Sequence, residues 1–401
     1  MDGRAFENKF SAYDGKSLVG DDGKLLVGQQ EVLRSHIDRL LQKLNTGLDE
    51  DADTNYSVYT GMGGIAFLHW HMYNKLDKDP QYLEQAYSYI KHHLRHLKGR
   101  RVTFLCGDAG PLALGAVVCS EMGKADKSQE LVERLEAMHD GVCSDRNLPD
   151  EILFGRAGYL SALLFVQHHL GADTIDNSII YKIFQSVIDR GRGLSREKGF
   201  HHPLMYQWHD KYYLGAAHGL AGILTTLMQV QDPTGKYKSM LIDFVKPSVD
   251  YMLDLRYPSG NGPSSLKSEN GDKLIHWCHG APGWIHLFVS AYKTFTDSKY
   301  LDAAKKCADV IWERGLLKKG YGICHGTAGN AYAFLTMYKL TSNQEYLYKA
   351  YKFAEWCFDY EKHGCHTADT PFSLFEGMAG TIYFLIDLLD PSKAYFPAFE
   401  L

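Results

Sequence analysis

The sequence predicts an all-α fold, a double-layered α/α toroid of seven helical-hairpin repeats with seven inner and seven outer helices. Three observations predict it. A Gly-x-x-Gly pattern recurs seven times along the 401 residues. Each copy opens an apolar run. Between copies lie stretches whose apolar residues return with helical spacing.

The copies are GMGG (61–64), GDAG (107–110), GRAG (155–158), GLAG (219–222), GAPG (280–283), GTAG (326–329) and GMAG (377–380). Successive starts are 46, 48, 64, 61, 46 and 51 residues apart. The runs that follow include IAFLHWHMY, PLALGAVVC, YLSALLFV and TIYFLIDLL. A second motif, Tyr-Leu-x-x-Ala, begins at 82, 300 and 346, which is 25, 26 and 31 residues ahead of the next copy. Around it Leu301, Ala304, Ala308 and Ile311, then Leu347, Ala350, Phe353 and Ala354, mark one helical face. Each repeat thus reads as an amphipathic helix, a loop, then a glycine-opened apolar helix. A helix apolar on nearly all sides must be buried, and an inner ring within an outer ring buries it. The glycines permit tight turns and close helix approach.

Length alone argues for two or three domains, but no Pro/Ser-rich linker divides the chain, so residues 1–401 read as one domain. The stretch 256–275, RYPSGNGPSSLKSENGDKLI, reads as a surface-exposed loop. Seven membrane spans would need about 20 apolar residues each. The apolar runs are about half that length, and the mean hydropathy is negative. The glycine motifs lack the Gly-Lys-Ser/Thr of a phosphate loop.

Apolar residues make up 45% and charged residues 23% of the chain, typical of a soluble globular protein. The net charge of −5 and the absence of a long basic run set against a nucleic-acid partner. The N-terminus is polar, without an apolar signal core. We therefore expect the eight cysteines to be mostly thiols in a cytoplasmic protein. A peripheral membrane-associated fraction is left open.

In a ring of equivalent repeats, equivalent positions face one centre. The residues just before each glycine pattern are Thr60, Cys106, Phe154, His218, His279, His325 and Glu376. One step earlier stand Tyr59, Leu105, Leu153, Ala217, Cys278, Cys324 and Phe375. Cys278 and Cys324 share one phase of adjacent repeats, and His325 follows directly. Two thiolates and an imidazole make a three-ligand zinc site with one position open, the catalytic pattern. His279 competes as third ligand, and buried structural thiols or a redox pair are alternatives. Cys119, Cys143, Cys307 and Cys357 read as structural, and for Cys365 a redox-sensitive thiol is the lesser reading. Glu376 either accepts a hydrogen bond from a ligand amine or caps its helix.

At GAAHGLAG, HWCHGAPG, GYGICHGTAGNAYAFL and TPFSLFEGMAGTIYFL the sequence resembles the eukaryotic lanthionine synthetase C-like family, and the resemblance runs along the whole chain. It implies the double-layered toroid and the zinc ligands Cys278, Cys324 and His325. Bacterial relatives are cyclases that add peptide thiols to dehydroalanine or dehydrobutyrine, and eukaryotic members bind glutathione. By the same resemblance Arg4, Lys319 and the stretch His366, Thr367, Ala368 and Asp369 contact glutathione. The family pattern at that stretch is Arg-Thr-Pro-Asp, so His366 replaces a permanent cation with an imidazole.

The expected activity is zinc-dependent transfer of the glutathione thiol to electrophiles, dehydrated or otherwise electrophilic residues of peptides and proteins. The enolate formed by thiol addition needs a proton. His218 is the expected general acid, and a cyclase acid/base carboxylate would fall near Glu151. A glutathione-binding redox adaptor for signalling partners and a peptide cyclase are the alternative readings.

Overall fold

The computed structural model describes residues 3–48, 55–232, 234–269 and 271–401. In chain order the helices are α1 (Val27–Gly47), α2 (Met62–Lys75), α3 (Pro80–His93), α4 (Ala109–Glu121), α5 (Ala125–Glu136), α6 (His139–Ser144), α7 (Arg156–Leu170) and α8 (Asn177–Lys198). There follow α9 (Leu220–Met228), α10 (Lys238–Met240), a π-helical turn (Leu241–Val245), α11 (Lys246–Asp254), α12 (Ala281–Phe295), α13 (Ser298–Arg314), α14 (Thr327–Thr341), α15 (Gln344–Phe358) and α16 (Met378–Asp387). The described residues form isolated β-bridges but no strand.

Helices α2, α4, α7, α9, α12, α14 and α16 each pack on the next, and α16 packs on α2, closing an inner ring. These are the seven glycine-opened helices. In α4 every residue from Ala109 to Cys119 is buried, and in α14 every residue from Thr327 to Tyr338. Such helices have no solvent face, so the ring must be covered outside. Helices α1, α3, α5, α8, α11, α13 and α15 cover it, with α6 a short addition packed on α8 and α7. They are amphipathic: α5 buries Ser128, Leu131, Val132 and Leu135, leaving its charged residues in water. The side chains of Asp79, Asp176, Asp297 and Asn343 cap α3, α8, α13 and α15.

The pairing differs from the sequence reading in one respect. The most extensive hairpin contacts join a glycine-opened helix to the amphipathic helix after it: α2 with α3, α4 with α5, α12 with α13, α14 with α15. The leading helix α1 packs on α16, the last inner helix. The loop 256–275 also differs, being irregular but not wholly exposed. Gly260, Asn261, Gly262, Ser264 and Ser265 are buried, because the Asn261 side chain accepts the Ala281 N–H at 2.8 Å and holds the loop on the start of α12.

The chain ends inside the ring. Phe396 stacks on Trp277 at 5.0 Å, and Phe399 meets the same indole edge-on at 5.2 Å. Glu400 accepts hydrogen bonds from Thr336 and the Phe396 N–H and pairs with His286 and Lys339. The tail thus occupies the end of the ring opposite the helix starts.

Candidate functional site

The segment before each inner helix folds back over the helix start. Ahead of α14, the N–H groups of Thr327, Ala328 and Gly329 bond to the carbonyls of Gly320, Tyr321 and Gly322. Ahead of α7, those of Arg156, Ala157 and Gly158 bond to Pro149, Asp150 and Glu151. These bonds satisfy donors that a helix start leaves free, so the N-cap residue makes no side-chain cap at α2, α7, α9, α12, α14 or α16, although at α12 the distant Asn261 side chain accepts the Ala281 N–H. They also explain the second glycine of the motif, since a Cβ at Gly329 would overlap the Ile323 carbonyl. At Gly280 the backbone has φ +118°, a conformation suited to glycine.

The fold-back carries the residues just before the motif to one mouth, where backbone bonds link neighbouring repeats. Cys278 N–H bonds to Cys324 O (3.3 Å), Cys324 N–H to Phe375 O (2.8 Å), Phe375 N–H to Tyr59 O (3.0 Å) and Tyr59 N–H to Leu105 O (2.9 Å). The third of these joins the last repeat to the first.

On this frame the donor atoms of Cys278, Cys324 and His325 all lie within 4.8 Å of one another. Among the described residues they form the only His/Cys/Asp/Glu group so arranged. Both cysteines are buried and His325 half-buried. Their third partner is thus His325 and not His279, whose Nδ1 is buried without a hydrogen-bond partner. Burial, with Cys278 alongside, pushes the Cys324 thiol well above its ordinary range. A cation among the three donors reverses that preference, and two sulfurs with one imidazole nitrogen are a donor set that zinc takes. The Tyr59 hydroxyl donates to Cys324 Sγ at 2.8 Å.

Beside this group His218 Nδ1 lies 2.8 Å from Glu151 Oε2. Glu151 is 2% exposed, and its two oxygens also accept the N–H groups of Leu153 (3.0 Å) and Phe154 (2.6 Å). The carboxylate is thereby fixed, and an Nδ1–H···Oε2 bond leaves Nε2 as the working nitrogen. The His218 ring lies 6.0 Å from Phe154 and 6.4 Å from His279.

The N-terminal segment runs along the edge of the mouth. Phe6 N–H bonds to Leu316 O, Lys318 N–H to Arg4 O, and His366 N–H to Lys318 O at 2.7 Å. Arg4, Lys319 and the stretch from His366 are therefore neighbours through the backbone. Arg4, Lys319, His366, Thr367 and Asp369 are exposed, and Ala368 is half-buried. Burial, reinforced by the charges of His325, Lys319 and Arg4, drives His276 down to about 3. Glu376 accepts a hydrogen bond from Thr370 at 2.9 Å, while Ser373 receives the Glu376 N–H.

Tyr59, His276 and Tyr213 also belong to the mouth, Tyr59 by its bond to Cys324, His276 with its ring 6.1 Å from that of His325 and Tyr213 with its ring 5.7 Å from that of His218. Tyr59 shares the phase of the two cysteines, which was the available signal. His276 and Tyr213 carried none, because they precede the repeat positions by several residues.

The family model described as lanthionine synthetase C-like protein matches residues 52–401. The Danio rerio protein named glutathione S-transferase LANCL1 is 45% identical over 405 residues, covering 99% of each chain. Among solved structures, nisin cyclase superposes with a TM-score of 0.65 at 18% identity, covering 90% of this chain and 94% of its own.

Proposed function

This chain belongs to the lanthionine synthetase C-like family, and from that membership we propose that it is a zinc-dependent glutathione transferase. In this reading the glutathione thiol adds to electrophiles, above all dehydroalanine and dehydrobutyrine residues in proteins. The observation that carries the reading is the Cys278–Cys324–His325 group, its two thiols buried, beside the His218–Glu151 pair. The transferase name of the 45% identical relative supports it.

Cys278, Cys324 and His325 would hold the metal. Zinc bound there supplies a site that lowers the pKa of a thiol in its fourth position. Arg4 and Lys319 bring positive charge to the edge where the glutathione carboxylates bind, and His366 to Asp369 complete that edge. As the carbon–sulfur bond forms at the β-carbon, the alkene pair moves toward the carbonyl. His218 Nε2 gives a proton to the α-carbon, and Glu151 holds the imidazolium while it carries the charge. The thiol proton goes to solvent, so addition is balanced without an oxidant or reductant.

We read residues 1–401 as one domain, because α1 packs on α16 and ties the first helix to the last inner one. A cytoplasmic location is supported by eight unpaired cysteines. No helix among the described residues is long and apolar enough to cross a membrane. Signalling proteins are further candidate partners.

Mass spectrometry of a dehydroalanine peptide with glutathione and zinc-loaded protein tests the reading, with Cys324→Ala alongside. One added glutathione in the wild type alone is expected. Bound glutathione with no excess over the uncatalysed rate would favour a redox adaptor instead, and ring closure by an internal cysteine would favour a cyclase.

A further inference from the structure

The eleven residues from Lys91 to Arg101, KHHLRHLKGRR, hold five Lys/Arg, three His and no carboxylate, in a chain of net charge −5. Lys98, Arg100 and Arg101 are exposed, and none is in an ion pair among the described residues. With Tyr56, Ser57 and Cys106 they line a groove of about 360 Å³. The groove is built and not a loose tail. The buried Asp108 carboxylate accepts the Gly99 N–H at 2.6 Å and the Tyr56 hydroxyl at 2.7 Å, fixing the loop from both sides.

Its inner end reaches the reacting groups. Cys106 stands just before a glycine motif, beside Leu105, whose carbonyl receives the Tyr59 N–H. The Arg101 guanidinium lies 5.1 Å over the Phe154 ring, and that ring stacks on His218 with 15° between planes. Arg101 therefore links the groove, through Phe154, to the His218–Glu151 pair. The groove's lining shares no residue with the edge formed by Arg4, Lys319 and His366.

Resting on the transferase reading, we infer that the electrophile enters along this groove as a peptide segment carrying anionic side chains, carboxylates or phosphate esters, next to its reactive residue. Unpaired cations in a groove raise the local concentration of an anionic partner and fix its register. The chain's net charge of −5 works against a nucleic-acid occupant, whose phosphates run on beyond the groove. A peptide is therefore the better occupant.

Fluorescence anisotropy with unreactive peptides, alanine replacing dehydroalanine, tests the groove without turnover. Glutamate-flanked, phosphoserine-flanked and glutamine-flanked versions are compared on wild type and on the double variant Lys98→Gln, Arg100→Gln. The wild type is expected to prefer an anionic peptide about tenfold at low salt, less as salt rises. The double variant is expected to lose most of that preference. The glutamate and phosphoserine arms identify the source of the charge. Equal affinities, a preference retained by the variant, or equal competition by an oligothymidylate of the same charge would overturn the proposal. Dehydroalanine versions then give kcat/KM ratios. No turnover of any peptide would sink the transferase reading, whereas turnover without anionic selectivity would sink the groove alone.

Discussion

The hydroxyl of Tyr59, in the first repeat, donates a hydrogen bond of 2.8 Å to Sγ of Cys324, in the sixth. The two are 265 residues apart in sequence. A hydrogen bond to a ligating sulfur orients the ligand and stabilises its thiolate form. Tyr59→Phe is expected to weaken zinc binding about tenfold to a hundredfold, read by competition with a chromogenic chelator. An unchanged affinity would show that the hydroxyl only fills space.

Glu151 and His218 should behave as a unit. Glu151→Gln can present an amide donor to Nδ1 and favour the wrong tautomer, so kcat should fall roughly 10²-fold, as in His218→Ala. Glutathione affinity, measured by calorimetry, should hardly change in either. A matching loss of affinity would move both residues from proton transfer to substrate binding.

Acid should unfold the protein through its buried imidazoles. Burial drives His69, His93 and His202 down to about 4 from an ordinary 6.5. Each binds fewer protons folded than unfolded between those values. Stability is therefore fullest above about pH 6.5 and declines toward pH 4, by up to about 1.4 kcal/mol per pH unit for His69 and less for His93 and His202, whose shifts solvent screens. Denaturant titrations at pH 7, 5.5 and 4.5 check this. His69→Gln should flatten the slope by one such increment, and an unaltered slope would count against it.

The tail should matter to the loop that carries Cys278. Phe396 packs on Trp277, the residue before Cys278. Phe396→Ala is expected to cost about 3–5 kcal/mol and to shift the tryptophan emission to the red. A loss below about 1 kcal/mol would mean the ring is indifferent to its tail.

The seven glycine motifs were legible because a backbone that passes over a helix start leaves no room for a Cβ. That demand repeats in every copy, and it put Cys278 and Cys324 in one phase with His325 one step on. The Glu151–His218 contact was harder to read. The two are 67 residues apart, and Glu151 stands outside the position that aligns across repeats. Tyr59 was in phase, but its reach to Cys324 depends on the join between last and first repeats. The expectation of no long basic run is corrected by Lys91 to Arg101, which holds five Lys/Arg in eleven residues and was hidden in an acidic total that averages over faces that never meet. The tail was silent because its aromatic residues acquire meaning only from Trp277 and His286.

The contact of α1 with α16 also sets a schedule for synthesis. The ring's first outer helix ends at Gly47, and the inner helix it covers ends at Asp387, which is 387 − 47 = 340 residues later. At about 5–20 residues per second, that interval lasts on the order of 20–70 s. Throughout it, the face that will bury Leu33, Ile37, Leu40 and Leu44 has no native inner helix to lie on. The nascent chain must therefore keep an apolar helix from straying until its last helix emerges. A chaperone that holds short apolar stripes would be most needed at this protein's oldest end.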